Sequence, residues 1–362
     1  MVLQKSSSSP SIVFQVRRNP AEIVAPAGPT PHELKLLSDI DDQQGLRIYH
    51  SAVQFFPYQA SMAGKDPVHV IREALSKALV FYYPLAGRLR EGPTGKLMVD
   101  CTAQGVLFIE ADADVTLDQF GVDLLPPFPC FHELLYHAAF PNNGIINSPL
   151  LLIQVTRLKC GGFIFAMRVN HTMCDGCGTT QFIKAIAEIA QGAAKPSIMP
   201  VWLNPPLPEG YYGNAFVLPA AVSTVGMLCG RPLSYALELA KKPKKEATEE
   251  YVHSTADLMA TKGRPPFSLR RSFIVSNLSK LELSDVDYGW GKPLYFGPEE
   301  AGIHDIPGLC YYLPYTNSKG EHGTVVLICL PEDAMKRFEN EINGILHIKG
   351  EDKPINSIMS NL

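Results

Sequence analysis

The sequence predicts an α+β protein made of two units, and two observations lead to that prediction. A chain of 362 residues is longer than one compact core usually organises, which suggests two domains. Segments with the two-residue period of strands and segments with the helical period occur in both halves of the chain. A proline-rich patch at residues 196–208 lies between the halves and is predicted to be a linker.

The first half is predicted to contain strands and two helices. Apolar residues with helical spacing predict a helix over 68–79 and a second helix that begins near Thr179, with its apolar face over 182–190. The predicted strands are residues 11–16, 96–101, 105–110, 150–156 and 163–169. We expect the second and third of these strands to pair with each other, and the last two to form a hairpin around Gly161-Gly162.

The second half repeats the mixture of helices and strands. Its predicted elements are helices at roughly 220–239, 248–261 and 331–346, a strand at 272–275 and a hairpin of 309–314 with 323–330. The last helix opens with Glu332 and Asp333, whose negative charges suit the positive end of a helix.

Bulk properties exclude several classes of partner. A net charge of −4 and the lack of a long basic stripe argue against nucleic acid. Residues 1–11 lack the apolar core of a signal peptide, and charged residues and glycines interrupt the longest apolar stretch, 150–169, so we expect no membrane span. The eight cysteines are then expected to be reduced thiols in the cytoplasm. The ending Ser360-Asn361-Leu362 faintly resembles a peroxisomal address, which leaves that compartment as an alternative.

The stretch His-Thr-Met-Cys-Asp-Gly, from His171 to Gly176, carries the main indication of chemistry. It follows a strand-like run and precedes a helical one, so we expect the imidazole at the rim of a sheet, where a substrate can reach it. Histidine is the usual general base because its unperturbed pKa lies nearest to neutral pH. Asp175 could turn back toward the loop and fix its geometry. A His-x-x-x-Asp pattern also arises by chance in a chain with ten histidines, so a catalytic loop and a coincidence both stay open here.

Other patterns give weaker indications. His132 and His137 are five residues apart, whereas a helical zinc site needs a spacing of four. Cys174 and Cys177 have redox or zinc spacing, but no second cysteine pair completes a tetrahedral site. The chain has no Gly-x-Ser-x-Gly elbow and no phosphate-binding glycine loop. We therefore predict no metal site and no serine hydrolase.

Asp287-Tyr288-Gly289-Trp290-Gly291 is a second conspicuous stretch. Two glycines beside one of only two tryptophans predict a tight turn that packs a large ring. An aspartate ahead of such a turn takes a basic partner or caps backbone N–H groups. We favour a structural role for Asp287, Gly289, Trp290 and Gly291, with a catalytic role for Asp287 as the alternative.

The two stretches together resemble the plant BAHD acyltransferases, which carry His-x-x-x-Asp-Gly in mid-chain and Asp-Phe-Gly-Trp-Gly near the end. Tyr288 stands where the family usually has phenylalanine. Residues 83–89 and 211–215 also match the family. Residues 62–67, 97–101 and 261–265 are most similar to the benzyl alcohol O-benzoyltransferase and methanol O-anthraniloyltransferase branch.

The resemblance implies a two-domain fold like that of chloramphenicol acetyltransferase, with the histidine in a channel between the domains. It implies transfer of a benzoyl, anthraniloyl or acetyl type of acyl group from acyl-CoA, as co-substrate, to a small alcohol, by a monomer without a cofactor. His171 would take the proton of the alcohol, while Asp175 and Gly176 would support the loop. In the family, a hydroxyl residue about eleven positions before the Trp-Gly motif steadies the oxyanion, and the resemblance therefore points to Ser276 for that role here.

One departure from the family is large. Its members are typically longer by roughly 90 residues. The shortfall falls between Trp202 and Leu203, where the family has helices, a strand and an arginine that pairs with the aspartate of the Trp-Gly motif. Asp287 would then lack its partner, and breaking a buried pair costs on the order of 3–5 kcal/mol.

The shortfall shapes the expected domain organisation. We expect an N-terminal acyltransferase domain at 1–195, a shortened linker at 196–210, and an incomplete C-terminal domain at 211–362. A truncated, catalytically inactive family member is the alternative to an active acyltransferase.

Overall fold

A computed structural model of the chain describes residues 12–121, 123–137, 144–202, 208–266, 271–282, 285–300, 308–317 and 320–347. Within these ranges the chain forms strands β1 to β13 and α-helices α1 to α7. The strands are β1 (Val16–Arg18), β2 (Glu22–Val24), β3 (Leu34–Leu36), β4 (Tyr49–Phe56), β5 (Arg88–Glu91), β6 (Leu97–Asp100), β7 (Val106–Ala113), β8 (Leu151–Leu158), β9 (Phe163–Asn170), β10 (Ile274–Asn277), β11 (Tyr295–Gly297), β12 (Leu309–Thr316) and β13 (His322–Leu327). The helices are α1 (Pro67–Phe81), α2 (Phe131–Leu134), α3 (Gly176–Ala190), α4 (Val225–Gly230), α5 (Leu233–Glu246), α6 (Glu249–Thr261) and α7 (Glu332–His347).

Seven strands form the largest described sheet, in the order β1-β7-β8-β9-β4-β11, with β2 also paired to β7. Neighbouring strands are antiparallel except β7 and β8, which are parallel. β8 and β9 are buried along almost their whole length, as expected for strands covered on both faces. They form the predicted hairpin, which is confirmed. β11 enters this sheet from the second half of the chain and pairs with β4, so both halves contribute to one sheet.

The pairing predicted between residues 96–101 and 105–110 is wrong. β6 lies in a separate sheet between β3 and β5, whereas β7 pairs with β8 in the large sheet. The chain changes sheets at residues 102–105, where Ala103 and Gly105 have positive φ. A Cβ at Gly105 would clash with the Val24 carbonyl, so the glycine permits the close approach of β2. The alternating pattern identified both strands, but burial of their faces decided their partners.

The helical pattern of the first half becomes α1 and α3, and both predicted helices are confirmed. α1 packs against β8 and α3. Its residues Ile71, Leu75 and Leu79 are completely buried, and each such burial contributes about 1.5–3 kcal/mol. α3 begins at Gly176, earlier than predicted, because Asp175 caps its first turn. Burial therefore anchors both helices beside the large sheet.

The second half is less tightly packed. β10, β12 and β13 form a three-stranded sheet in which β10 is parallel to β12. α4, α5 and α6 contain no buried residue, and Leu233, Leu237 and Leu258 are 62%, 49% and 49% exposed. Thr224 and Thr248 cap α4 and α6 by accepting backbone N–H groups. These helices are therefore stabilised by local bonds more than by burial.

Most of the remaining predictions on local structure are confirmed with shifted boundaries. Pro232 divides the predicted helix at 220–239 into α4 and α5. The strand at 272–275, the hairpin of the second half and the last helix are found as β10, β12 with β13, and α7. The strand predicted at 11–16 is wrong over residues 12–15, because β1 begins at Val16, and residue 11 lies outside the described residues. The mixed helix and sheet content confirms the fold class, and no described helix is long and apolar enough to cross a membrane.

A cluster of charges connects the end of α6 to the loop after β3. Arg264 Nε lies 2.7 Å from Asp42 Oδ2, and Arg264 Nη2 lies 3.2 Å from Asp39 Oδ1. Asp42 is fully buried, pairs with Arg47, and accepts the N–H of Leu97. This arginine from the second half thus pairs with two carboxylates of the first half, and we call the group of Arg264, Asp39 and Asp42 the Arg264 clamp.

Candidate active site

The His171 loop is attached to the end of β9. The N–H of His171 donates to the Ile48 carbonyl at 2.8 Å, which continues the pairing of β9 with the chain before β4. Asn170 closes the turn, because its Oδ1 accepts from the N–H and the hydroxyl of Thr172. The N–H of Met173 donates to the Asn170 carbonyl. The imidazole therefore follows a rigid strand and a tight, hydrogen-bonded turn, as the sequence predicted.

One side chain holds the His171 ring directly. His171 Nδ1 lies 3.0 Å from Asn214 Oδ1, and Asn214 Nδ2 donates to the His171 carbonyl at 2.7 Å. Because an amide oxygen only accepts, Nδ1 is the nitrogen that carries the hydrogen in this arrangement. Nε2 then keeps its lone pair. The half-buried ring is further bounded by His50 and Phe216, with ring centroids 4.6 Å and 5.8 Å from its own.

The surroundings favour an uncharged His171 ring. Burial lowers the pKa of His171 below its usual value of 6.5, against the opposing effects of the Asp175 charge and the hydrogen bond to Asn214. Burial lowers the pKa of His50 well below its usual value, and the neighbouring His171 lowers it further. Two imidazoles in contact disfavour a proton on each other. At neutral pH the His171 ring therefore has the lone pair that a general base needs.

Asp175 supports the loop and does not bond to the His171 ring. Its Oδ1 accepts the N–H of Gly178 at 2.9 Å, which caps α3, and its Oδ2 accepts the N–H of Ala215 at 3.1 Å. Gly176 is the first residue of α3, and a Cβ there would press on the Leu281 side chain at 3.0 Å. The carboxylate thus joins three segments: the histidine loop, α3 and the segment of residues after Tyr212.

The segment of residues 211–215 is held against α3 by a close backbone contact. A Cβ at Gly178 would overlap the carbonyl of Tyr212, so only glycine permits this approach. The contact places Asn214 beside His171. Sequence reasoning noted residues 211–215 as similar to the family but assigned no role to Asn214. It also missed Asp41, which binds Asn214 from a distant part of the chain.

Ser276 is not joined to the His171 loop by any hydrogen bond in the described part of the chain. It lies in β10, where it is paired with Tyr311 of β12. Its side chain is half-buried. Its role as an oxyanion donor stays a prediction.

The Trp-Gly turn has the structural contacts that the sequence favoured. Asp287 Oδ1 accepts the N–H groups of Gly289 and Gly291 at 2.6 Å and 2.8 Å. Trp290 packs edge-on against Phe163 of β9. The Tyr288 hydroxyl donates to Gln54 of β4 at 3.0 Å, in a fully buried position. The turn therefore fastens the second half of the chain to the large sheet.

These contacts correct the expectation that Asp287, without an ionic partner, would destabilise the fold as a broken buried ion pair does. The residue is half-buried rather than buried, and two backbone donors satisfy its carboxylate. The cost of breaking a buried ion pair does not apply to a carboxylate that water still reaches.

The Cys174 and Cys177 thiols lack the properties of a reactive pair. Burial raises the pKa of Cys174 to about 12, and its Sγ lies 3.3 Å from the Thr179 hydroxyl. Burial also raises the pKa of Cys177. Thiols with a raised pKa contain little thiolate and react slowly. All eight cysteines are free thiols.

Comparison with known proteins gives matches over nearly the whole chain. The family profile described as "Transferase family" matches residues 14–203 and 202–344. The 13-hydroxylupanine O-tigloyltransferase of Lupinus albus is 46% identical over 450 residues, which cover 96% of this chain and 98% of that enzyme. The benzyl alcohol O-benzoyltransferase of Nicotiana tabacum is 44% identical over 452 residues, covering 97% of each.

Solved structures show the same fold at low sequence identity. The crystal structure of vinorine synthase has a TM-score of 0.66 at 16% identity, covering 89% of this chain and 96% of that one. The F. sporotrichioides TRI101 structure, complexed with coenzyme A and T-2, has a TM-score of 0.60 at 17% identity, covering 85% and 97%. The two-domain arrangement predicted from the sequence is thereby confirmed as the fold of these neighbours.

The matches also show a difference in length. The alignment with the lupin enzyme spans 450 positions, and this chain has 362 residues. At least 88 of those positions, the difference between the two numbers, therefore have no counterpart in this chain. The family profile matches in two pieces that meet at residues 202 and 203.

Proposed function

Because the chain belongs to the Transferase family, as a plant BAHD acyltransferase that transfers acyl groups, we propose that it acylates a small alcohol from acyl-CoA with His171 as the general base. The observation that carries the proposal is the bond between His171 Nδ1 and Asn214 Oδ1. It reserves the hydrogen for Nδ1, so Nε2 is free to accept the proton of an alcohol. The lowered pKa of His171 keeps that nitrogen unprotonated at neutral pH.

The proposed reaction is a direct transfer without a covalent enzyme intermediate. Nε2 of His171 removes the hydroxyl proton as the alcohol oxygen attacks the thioester carbonyl carbon. The tetrahedral intermediate collapses, the carbon–sulfur bond breaks, and the leaving CoA sulfur takes the proton from the imidazolium. The products are an ester and free CoA. Ser276 is the proposed hydrogen-bond donor to the oxyanion, a role that stabilises the negative charge developing in the transition state.

The names of the relatives support the proposed classes of substrate. They include a benzoyltransferase for benzyl alcohol, a tigloyltransferase for 13-hydroxylupanine, and a (Z)-3-hexen-1-ol acetyltransferase from Arabidopsis thaliana that is 40% identical. We propose a benzoyl, anthraniloyl or acetyl type of acyl group for this chain, with acyl-CoA as a co-substrate and no cofactor.

Release of CoA tests the proposal. The purified chain is mixed with benzoyl-CoA and benzyl alcohol, and free thiol and benzyl benzoate are both measured. We expect ester formation that falls by about 10²–10⁴ in His171→Ala, because that is the usual contribution of a general base. His253→Ala, at an exposed histidine of α6, is the matched control and should retain the wild-type rate. Equal rates in His171→Ala and wild type would eliminate His171 as the base, and thiol without ester would indicate hydrolysis.

A truncated, catalytically inactive family member is the second candidate. Two observations favour it: at least 88 positions of the lupin relative have no counterpart here, and α4, α5 and α6 bury no residue. Sequencing the natural transcript across the codons of Trp202 and Leu203 tests this hypothesis of a truncated chain. An additional in-frame segment of about 90 residues would identify the chain as a shortened product, and inserting that segment should restore turnover.

The domain division, the oligomeric state and the cellular compartment are also proposals. We propose the domain division at 1–195, 196–210 and 211–362, although β11 of the last segment pairs with β4 of the first. We also propose a cytoplasmic monomer. The peroxisomal alternative depends on Ser360-Asn361-Leu362, which lie outside the described residues.

A further inference from the structure

Asp41 is a buried carboxylate that accepts hydrogen bonds from four donors. Its Oδ1 accepts the backbone N–H and the Nδ2 group of Asn214, at 2.6 Å and 2.8 Å. Its Oδ2 accepts the hydroxyls of Ser38 and Tyr211, at 2.6 Å and 3.1 Å. The residue is 4% exposed. Burial raises the pKa of Asp41, and the four donors oppose that rise because they stabilise the ionised form.

These bonds determine how the Asn214 amide is turned. The two hydrogens of Nδ2 are directed to Asp41 Oδ1 and to the His171 carbonyl, both of which only accept. The amide oxygen is therefore the group left for His171 Nδ1. If the amide were reversed, its oxygen would face two acceptors and two hydrogen bonds would be lost. The orientation of Asn214 thus depends on a carboxylate that never contacts the ring.

The chain also contains a carboxylate much closer to His171 in sequence. Asp175 is four residues from His171, yet its oxygens accept from Gly178 and Ala215 and not from the ring or from Asn214. Asp41, 130 positions earlier in the printed sequence, occupies the place behind the histidine's partner. A carboxylate there also favours the positive charge that the ring gains when Nε2 accepts a proton.

We infer that Asp41 is a positioning residue that fixes, through Asn214, the tautomer and orientation of His171. The resulting order is carboxylate, amide and imidazole, in which each member orients the next. The consequence for catalysis rests on the proposed function, whereas the consequence for the tautomer does not. Both can therefore be measured separately.

The test uses two variants of Asp41 and a neighbouring control. Asp41→Asn keeps an oxygen that can face Asn214 and removes the charge. Asp41→Ala removes both the charge and the acceptor. Asp42→Asn removes a buried carboxylate from the same loop, but Asp42 contacts Arg47, Arg264 and Leu97 rather than Asn214. A loss of turnover common to the Asp41 and Asp42 variants would therefore reflect lower stability. A loss of turnover confined to the Asp41 variants would reflect a change in the tautomer or orientation of the His171 ring.

Nitrogen-15 spectra of labelled histidine report the tautomer without any turnover. We expect the His171 ring to carry its hydrogen on Nδ1 in the wild type, in Asp42→Asn and in Asp41→Asn. In Asp41→Ala we expect a shift toward the form protonated on Nε2, because Asn214 can then reverse its amide. A wild-type spectrum in Asp41→Ala would overturn the inference.

Kinetics give the second measurement. We expect kcat to fall about 100-fold in Asp41→Ala and about tenfold in Asp41→Asn, within the range of general-base effects, with KM changed less than twofold. Asp42→Asn should keep the wild-type kcat. If Asp41→Ala does not fold, Asp41→Asn decides alone, and an unchanged kcat in that variant would overturn the inference. A tautomer shift in a chain without turnover would uphold the role of Asp41 while refuting the proposed function.

Discussion

The side chains that face the His171 ring decide the pH range in which it can act as a base. Asn214 and, behind it, Asp41 lie on one side, His50 of β4 on another, and Cys174 and Asp175 are in the same loop. Burial is the largest influence and lowers the pKa of His171. A ring with a lowered pKa loses its proton at a more acidic pH, so its basic form persists further into acid.

The first prediction concerns the acid limb of the pH profile. We expect kcat/KM for benzoyl-CoA and benzyl alcohol to be constant near pH 7 and to fall with a midpoint below 6.5, the usual value for histidine. The measurement is the initial rate of ester formation at low substrate concentration from about pH 5 to pH 8.

A variant of Asp175 checks the sign of this pH dependence. The Asp175 charge raises the pKa of His171, so Asp175→Asn should move the midpoint to a still lower pH. His69→Ala, at a mostly exposed histidine of α1, should leave the midpoint unchanged. A midpoint above 7 in the wild type, or an upward shift in Asp175→Asn, would contradict the assignment of the limb to His171.

At the scale of elements, three contacts away from the His171 ring connect the second half of the chain to the first. β11 pairs with β4, the Trp-Gly turn packs on β9, and the Arg264 clamp holds the end of α6. The turn and the clamp differ in kind. The turn buries aromatic rings, while the clamp neutralises a carboxylate, Asp42, that is completely buried.

The second prediction tests the Arg264 clamp. Arg264→Met keeps most of the side-chain length and removes the charge, which leaves Asp39 and Asp42 with fewer partners. We expect the free energy of unfolding to fall by about 1–3 kcal/mol, the cost of depriving a buried polar group of its partner. Urea denaturation measures it. Lys262→Met, at an exposed lysine two residues earlier, is the control, and equal stability of the two variants would show that the clamp contributes little.

At the scale of the whole molecule, two regions differ in how much of their apolar side chains they bury. Strands β8 and β9 of the large sheet are buried on both faces and α1 and α3 bury their apolar faces, whereas α4, α5 and α6 bury nothing. Exposed leucines on these helices have the spacing of a packing face without a partner in the described part of the chain. The division of the family match at residues 202 and 203 occurs shortly before this region.

The third prediction compares hydrogen exchange in helices of similar length. α1 has seven buried residues and α5 has none. Because local opening needs little free energy where few apolar contacts exist, we expect amides of α5 and α6 to exchange at least about 100-fold faster than those of α1. Exchange followed by mass spectrometry measures this. Equal protection of α5 and α1 would mean that another surface covers α5 in solution, which would argue against a monomer.

Much of the fold was predictable because periodicity is a local property. The β8 and β9 hairpin, α1 and the last helix follow directly from apolar spacing and turn residues. The partners of β6 and β7 were not predictable, since pairing depends on which faces distant strands bury. The same limit applied to β11, a short strand of the second half that joins the first sheet.

The sequence by itself determined the family, the histidine loop and the Trp-Gly turn, because each is carried by residues close together in the chain. The tertiary structure alone decided what holds the His171 ring. Asn214 and Asp41 lie 43 and 130 positions from His171 in sequence. Asn214 meets the ring because Gly178 lets the Tyr212 backbone touch α3, and Asp41 in turn binds Asn214. It also decided that Asp175, which the resemblance assigns to loop support, does so by capping α3. Spacing along a chain specifies periodic surfaces, whereas the partner of a buried polar group is specified only by the folding of distant segments onto one another.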